Sequence, residues 1–197
     1  MKNSTVQRCV SLTAFSIGTL PLHLQDVKTK ENAVEHPLYK ILRRRPNAWQ
    51  TAFEFRALMQ YRALVHGNAY ALKVRTGDRI LQLVPLDPEK IQVRQRNDWQ
   101  LEYKFSGNPN AKAQTFAASD ILHLKYGISD DGITGNSLVK ASAEAIGLAL
   151  QSEAAASRIF RQGVMAGGVL SHPGQLSQPA RDNLEASMDA KSSSENA

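Results

Sequence analysis

The stretch AIGLALQSEAAASRIFRQG, Ala145–Gly163, constrains the fold more than any other part of the chain. Helix formers fill its turns and Gly163 stands where a helix would stop. Extended back to Asn136, residues 136–162 read as one helix of 27 residues, about 40 Å long at ~1.5 Å per residue. Its charges are confined to Lys140, Glu144, Glu153, Arg158 and Arg161. Leu138, Leu148 and Ile159 fall on one face, with Val139, Ile146, Leu150 and Phe160 beside it. A helix apolar over so much of its circumference has to be covered on several sides. Small residues at Ala141, Ala145, Gly147, Ala149, Ala154, Ala155 and Ala156 allow a neighbouring helix to come close. Two arrangements meet that need: identical copies in a closed ring, each using different faces to left and right, or a larger monomeric helical bundle.

The residues before this helix predict an α+β region. MKNSTVQRCVSLTAFSIGTLPLHL is interrupted by Ser11, Thr13, Ser16 and Thr19. Val6, Val10, Thr13, Ile17 and Leu20 fall at helical spacing, so the run reads as a helix rather than a signal peptide. PLHLQDVKTK reads as a short strand entering a polar loop, and HPLYKILRRRP as a short helix whose last turn carries Arg43, Arg44 and Arg45 before Pro46. Thr51 and Glu54 form a capping-box pattern before a helix with Phe55, Leu58, Met59 and Val65 on its buried stripe and Gly67 at its end. NAYALKVR, RILQLVPL, IQVRQR, QLEYKF and DILHLKY then alternate apolar and polar residues between turn signals. They predict a mostly antiparallel sheet, without the βαβ alternation of a dinucleotide fold.

Charge is unevenly placed. Residues 1–75 hold 12 Lys/Arg against 4 Asp/Glu, residues 76–135 hold 7 against 8, and residues 136–197 hold 5 against 6. The basic excess lies in the first part of the chain, as either scattered surface charge or a phosphate-binding face. Arg43, Arg44 and Arg45 keep the same two readings: cations suited to a helix C-terminus, or a phosphate or partner contact. The single Cys9 forms no internal disulfide, and no segment approaches the ~20 apolar residues of a membrane span.

No enzyme constellation emerges. SDDG, Ser129–Gly132, pairs two carboxylates before a glycine but lacks the spaced ligands of a calcium loop. GITGNS lacks the Lys-Ser/Thr ending of a phosphate loop and reads as a turn with Asn136 or Ser137 as helix cap. The five histidines show no metal-ligand spacing, and His123, alternating in DILHLKY, reads as a strand residue with a satisfied ring. No catalytic residue, cofactor or metal is expected.

Eight stretches, in order along nearly the whole chain, resemble the portal proteins of tailed double-stranded-DNA bacteriophages of the siphovirus type. They are TLPLHL, HPLYKILRRRPNAWQTAFEF, HGNAYA, LVPLDPEKI, DILHLK, DGITGNS, AIGLAL and GGVLSHPG. The resemblance implies a wing-like α+β domain over residues 1–135, a long stem-like helix over 136–163 and a partial clip-like segment over 164–197. It implies a ring, typically a dodecamer, at the capsid vertex of the virion, assembled in the host cytoplasm, through which DNA is packaged and ejected. The partners it implies are copies of itself, the terminase large subunit, the head-tail connector or adaptor, the major capsid protein, and double-stranded DNA without sequence specificity; no membrane is among them. Ala145, Leu148, Ala149, Ala155, Ile159 and Phe160 are then the candidate contacts between copies. The competing function is a monomeric nucleic-acid-binding module built on the basic N-terminal part, for which neither a recognition-helix nor a ribonucleoprotein motif is present.

Two departures from the family pattern stand out. A proline usually follows shortly after the serine of GITGNS, where this chain has Leu138, which leaves the helix start open by a residue or two. Portal chains are also typically about twice as long, so the sequence reads as a fragment lacking the second stem helix, tunnel loop and crown. Residues 5–130 are expected to fold by themselves, while the long helix associates weakly or without one fixed geometry.

Overall fold

The computed structural model describes residues 3–107, 113–127, 129, 131–162, 174 and 176–194. The chain divides into two compact units, Met1–Glu153 and Ala154–Ala197. The first opens with helix α1 (Ser4–Thr19), followed by α2 (Pro37–Arg43) and α3 (Ala52–His66). Strands β1 (Asn68–Thr76), β2 (Arg79–Leu86), β3 (Ile91–Gln95), β4 (Leu101–Phe105), β5 (Gln114–Ala117) and β6 (Ile121–Lys125) follow. They form two antiparallel three-stranded sheets, ordered β2-β1-β6 and β3-β4-β5.

Strand β1 joins the layers because its side chains alternate with period two. Ala69 and Ala71 are fully buried against Phe55 and Met59 of α3, together with Ile41 and Leu83. On the other face Tyr70 packs with Leu86, Ile91, Tyr103 and Ile121, bringing the two sheets together. The first unit is therefore layered, with helices on one face of the β1 sheet and the second sheet on the other. Burial of a side chain such as Phe55 or Met59 contributes about 1.5–3 kcal/mol.

Local chemistry sets the helix ends. Thr51 and Glu54 cap α3 reciprocally, Glu54 N–H donating to Thr51 Oγ1 at 3.3 Å and Thr51 N–H to Glu54 Oε2 at 2.7 Å. Arg56 closes two helices at once, donating to Gly18 O through Nη2 at 2.8 Å and to Leu42 O through Nη1 at 3.3 Å. Helix α1 meets α3 closely at Gly18, where a Cβ would lie 3.1 Å from that of Ala57.

Several elements differ from the sequence reading. The buried stripe of α1 is Val10, Ala14 and Gly18, while Ile17 and Leu20 are exposed, because packing against α3 favours small residues over bulky ones. PLHLQDVKTK forms no regular strand; Asp26 Oδ1 accepts from the N–H groups of Lys28 and Thr29, and this side-chain turn leaves a single bridge between Gln25 and Asn32. Helix α2 stops at Arg43, so Arg44 is its cap and Arg45 lies beyond it. The backbone has already turned there, since Arg44 O accepts from Ala52 N–H. Strand β5 was not foreseen.

The expected 27-residue helix is two helices, α4 (Leu138–Ala141) and α5 (Ala143–Gln162). Ser137 caps the first, which fixes the start at Leu138, the position at which a proline would be accommodated. Ser142 leaves the helical conformation at φ −101° and ψ 15°, consistent with the weak preference of serine for helix interiors. The second unit contains α6 (Gln178–Ser194), which stays helical through its polar end. Most of the start of the expected clip, residues 164–173, lies outside the described residues.

Candidate functional site

Three groups of residues stand out: a polar node where the sheet meets the long-helix segment, the exposed face of α5, and the Arg43–Arg45 run. The node begins at Gly67, which ends α3 in a left-handed conformation at φ 81°. A Cβ there would lie 2.3 Å from Gly135 O, and a Cβ on Gly135 would lie 2.2 Å from Gly67 O. Only glycine fits at both positions, and the two backbones pass in contact. Tyr126 N–H donates to Gly67 O and Asn136 N–H to Tyr126 O, both at 2.9 Å.

Asn68 fastens this crossing. Its Oδ1 accepts from Gly135 N–H at 2.7 Å and its Nδ2 donates to Gly135 O at 3.1 Å. The backbone N–H fixes which end of the carboxamide is oxygen, and that oxygen also faces His123 Nε2 at 2.9 Å. His123 therefore carries its proton on Nε2, and its Nδ1 accepts from the Tyr103 hydroxyl at 3.1 Å. Burial, reinforced by Lys125, lowers the His123 pKa to about 4, so the ring is neutral near pH 7. Burial raises the pKa of Tyr103 as well as that of Tyr70, whose ring lies 4.5 Å from that of His123. Ser137 completes the node, its hydroxyl donating to Val65 O while accepting from Lys140 N–H at 3.1 Å.

The SDDG segment contributes a turn. Asp131 Oδ1 accepts from the N–H groups of Ile133 and Thr134, both at 2.8 Å, and from Ser129. These hydrogen bonds, Ser129 first, hold the Asp131 carboxyl well below the usual carboxylate range. Among the described residues no cluster of three His, Cys, Asp or Glu could hold a metal ion. No described helix is long and apolar enough to cross a membrane.

Helix α5 carries the predicted contact residues. At about 100° per residue, Ala145, Leu148, Ala149, Ala155, Ile159 and Phe160 share an arc of roughly 140°. The same arc holds Ser152 and Ala156 and no charged residue. Leu148, Ile159 and Phe160 are 67%, 53% and 79% exposed, and Ala145 and Ala149 are exposed too. Ile146 and Leu150, away from that arc, are half-buried.

Arg43, Arg44 and Arg45 are all exposed, with no carboxylate paired to them among the described residues. Arg43 Nη1 approaches His23 Nε2 at 3.5 Å. Burial, and after it the charge of Arg43, lowers the pKa of Arg56, so the local field is positive. The node itself was missed in the sequence, although HGNAYA, DILHLK and DGITGNS each supply part of it; the signal was the pair Gly67 and Gly135.

Comparison with known proteins agrees with this architecture. The "Phage portal protein" family model matches residues 4–197. The portal protein of Enterobacteria phage HK97 is 31% identical over 174 residues, covering 85% of this chain and 40% of the relative. Protein BeeE of Escherichia coli K12 is 33% identical over 90 residues, covering 45% of this chain and 57% of the relative. Among solved structures, a chain in the neck of an empty gene transfer agent particle superposes with TM-score 0.73 at 23% identity, over 95% of this chain and 52% of that one. An HK97-family portal protein of Corynebacterium diphtheriae gives TM-score 0.60 at 15% identity, over 93% of this chain and 56% of that one. The likeness to these structures establishes the fold, and the chain spans about half the length of the proteins it resembles. With its family model matched from residue 4 to residue 197, the chain belongs to the phage portal protein family.

Proposed function

We propose that the chain supplies the wing and the first stem helix of a portal subunit. Copies assemble into a ring at the capsid vertex of a virion, formed in the host cytoplasm, through which double-stranded DNA is packaged and ejected. The role is structural: terminase, the head-tail connector and the major capsid protein dock on the ring, and DNA slides through it without base-specific contacts. The observation that carries this reading is the exposed, charge-free arc of α5, with Leu148, Ile159 and Phe160 in water beside small residues that admit a close neighbour. The resemblance to particle necks, including one computed with C12 symmetry at TM-score 0.68, supports a ring of identical copies.

Light scattering behind size-exclusion chromatography, with negative-stain imaging of each peak, tests the assembly. Concentration-dependent oligomers that Phe160→Ser and Leu148→Ser disperse are expected. A chain that stays monomeric at every concentration overturns the reading.

A further inference from the structure

We propose that an apolar strip along α1 and the start of α3, with arginines at both ends, is the docking surface for an acidic amphipathic helix of a partner protein. This surface is separate from the α5 arc and does not depend on the ring reading.

The strip begins in the sequence, where residues 9–25 hold no Asp, Glu, Lys or Arg. Arg8, Leu12, Phe15 and Thr19 recur at the spacing of one helix face, and all four are exposed. Leu12 and Phe15 are 60% and 55% exposed. Phe15 stacks on Phe53 of α3 with ring centroids 6.0 Å apart, and a Cβ on Gly18 would lie 3.2 Å from the Phe53 ring. Leu20 and Leu22, both exposed, follow where the chain leaves α1. The hydroxyls along this face are already used by the helix itself, Ser16 donating to Leu12 O at 2.8 Å and Thr19 to Ser16 O at 2.7 Å. Covering the face therefore strands few polar groups.

Both ends are basic. Arg8 stands one turn before Leu12. At the other end Arg56 donates to Gly18 O and Leu42 O, which sets the end of α2 beside that of α1. Arg43 Nη1 lies 3.5 Å from His23 Nε2, next in the chain to Leu22. Residues 1–56 hold nine Lys/Arg against four Asp/Glu. Of those four, Glu54 is taken up by the N–H and hydroxyl of Thr51, and Asp26, Glu31 and Glu35 share their stretch with Lys28 and Lys30. Arg8, Arg43, Arg44 and Arg45 pair with no carboxylate among the described residues.

The occupant has to satisfy both parts of this surface. DNA phosphates meet the arginines but leave Leu12 and Phe15 in water. A lipid bilayer takes up side chains that project, whereas Phe15 and Phe53 lean on each other across two helices. A helix laid along the strip, apolar on one face and carboxylate-bearing beside it, meets the apolar and basic groups together.

The probe is a labelled synthetic helical peptide with Leu at the a and d positions of its heptads and Glu elsewhere, set against a scrambled peptide of the same composition. The parent chain is expected to bind the first and not the second. Leu12→Gln should weaken binding about tenfold, mainly through faster dissociation. Replacing Arg43, Arg44 and Arg45 by Gln should slow association and flatten its salt dependence. All four positions are exposed, so circular dichroism of each variant matches the parent. Duplex DNA should bind the parent and Leu12→Gln alike. A parent chain that binds neither peptide or both equally, or a Leu12→Gln chain that binds as the parent does, overturns the proposal. Phosphatidylserine vesicles that hold the parent but release Leu12→Gln would give the strip to a membrane, and self-association dispersed by Leu12→Gln would give it to a second copy; either result overturns the proposal too.

Discussion

Asn68 grips the backbone of Gly135 with both ends of its carboxamide, accepting from the N–H at 2.7 Å and donating to the carbonyl at 3.1 Å. The side chain takes the place of a strand partner and sets where the chain leaves the sheet for α4. Asn68→Ala removes both bonds, and with them the acceptor of His123, from a part-buried site. Each net bond contributes about 1 kcal/mol and an orphaned buried group costs about 1–3 kcal/mol, so a loss of about 2–4 kcal/mol is expected. Urea unfolding checks it, and a loss below about 0.5 kcal/mol would sink the idea, being the range of an ordinary surface change.

Gly67 and Gly135 test the crossing from the backbone side. In Gly67→Ala the new Cβ meets Gly135 O at 2.3 Å on a backbone at φ 81°. Neither neighbouring atom is the end of a flexible side chain, so the chain has to shift, at a cost on the order of 2 kcal/mol or more. Gly77→Ala is the control, since φ is 57° there but a Cβ meets nothing within 4 Å. Thermal unfolding should rank Gly67→Ala well below Gly77→Ala, and equal midpoints would remove the steric account.

His123 makes stability depend on pH. Its folded pKa is about 4 against an ordinary 6.5, so between those values the unfolded chain binds more protons than the folded one. Stability from this group is fully present above about 6.5 and is lost as pH falls towards about 4. His123→Gln keeps hydrogen-bonding capacity but does not titrate. The stability difference between parent and variant should therefore narrow as pH falls through that window in urea titrations, and a difference independent of pH would contradict the assignment.

What was legible in the sequence follows the range of the interactions. Strand β2 coincides with the alternating segment RILQLVPL, and the α3 capping box involves residues three apart, so local pattern sufficed. Strand β5 is four residues paired on one side only, too short for alternation to register. The Asn68–Gly135 contact spans 67 positions, and nothing local to either residue encodes it. The break at Ser142 was hidden for the opposite reason: helix formers on both sides gave an unbroken pattern, and serine's weak preference did not show against it.

The exposed face of α5 gives a prediction about packing. Ala149 is exposed on the charge-free arc and Ala155 half-buried on it, where a neighbouring helix would come closest. Ala149→Leu or Ala155→Leu should overpack that contact by about 1–3 kcal/mol per interface, while the first unit unfolds as before. Sedimentation at matched concentration reads the outcome, and oligomers of unchanged strength would show that the wrong face was chosen.

The arginine run offers a test of how DNA would be met. Arg43, Arg44 and Arg45 are exposed and free of carboxylate partners among the described residues, and burial, with Arg43 adding to it, lowers the pKa of Arg56. If they contact DNA, they contact phosphates, because a conduit that hydrogen-bonded base edges would hold some sequences and slow their passage. Each phosphate contact contributes about −0.9 to the slope of log affinity against log salt. Replacing all three by Gln should therefore make that slope shallower by about 2–3 while leaving the fold intact, since none of the three side chains is buried. Two unrelated duplexes at matched salt should bind the parent chain within about tenfold of each other, or ~1.4 kcal/mol. A larger preference would mean that bases are read. An unchanged salt slope would move the DNA contact to another surface and leave the arginine run to a protein partner.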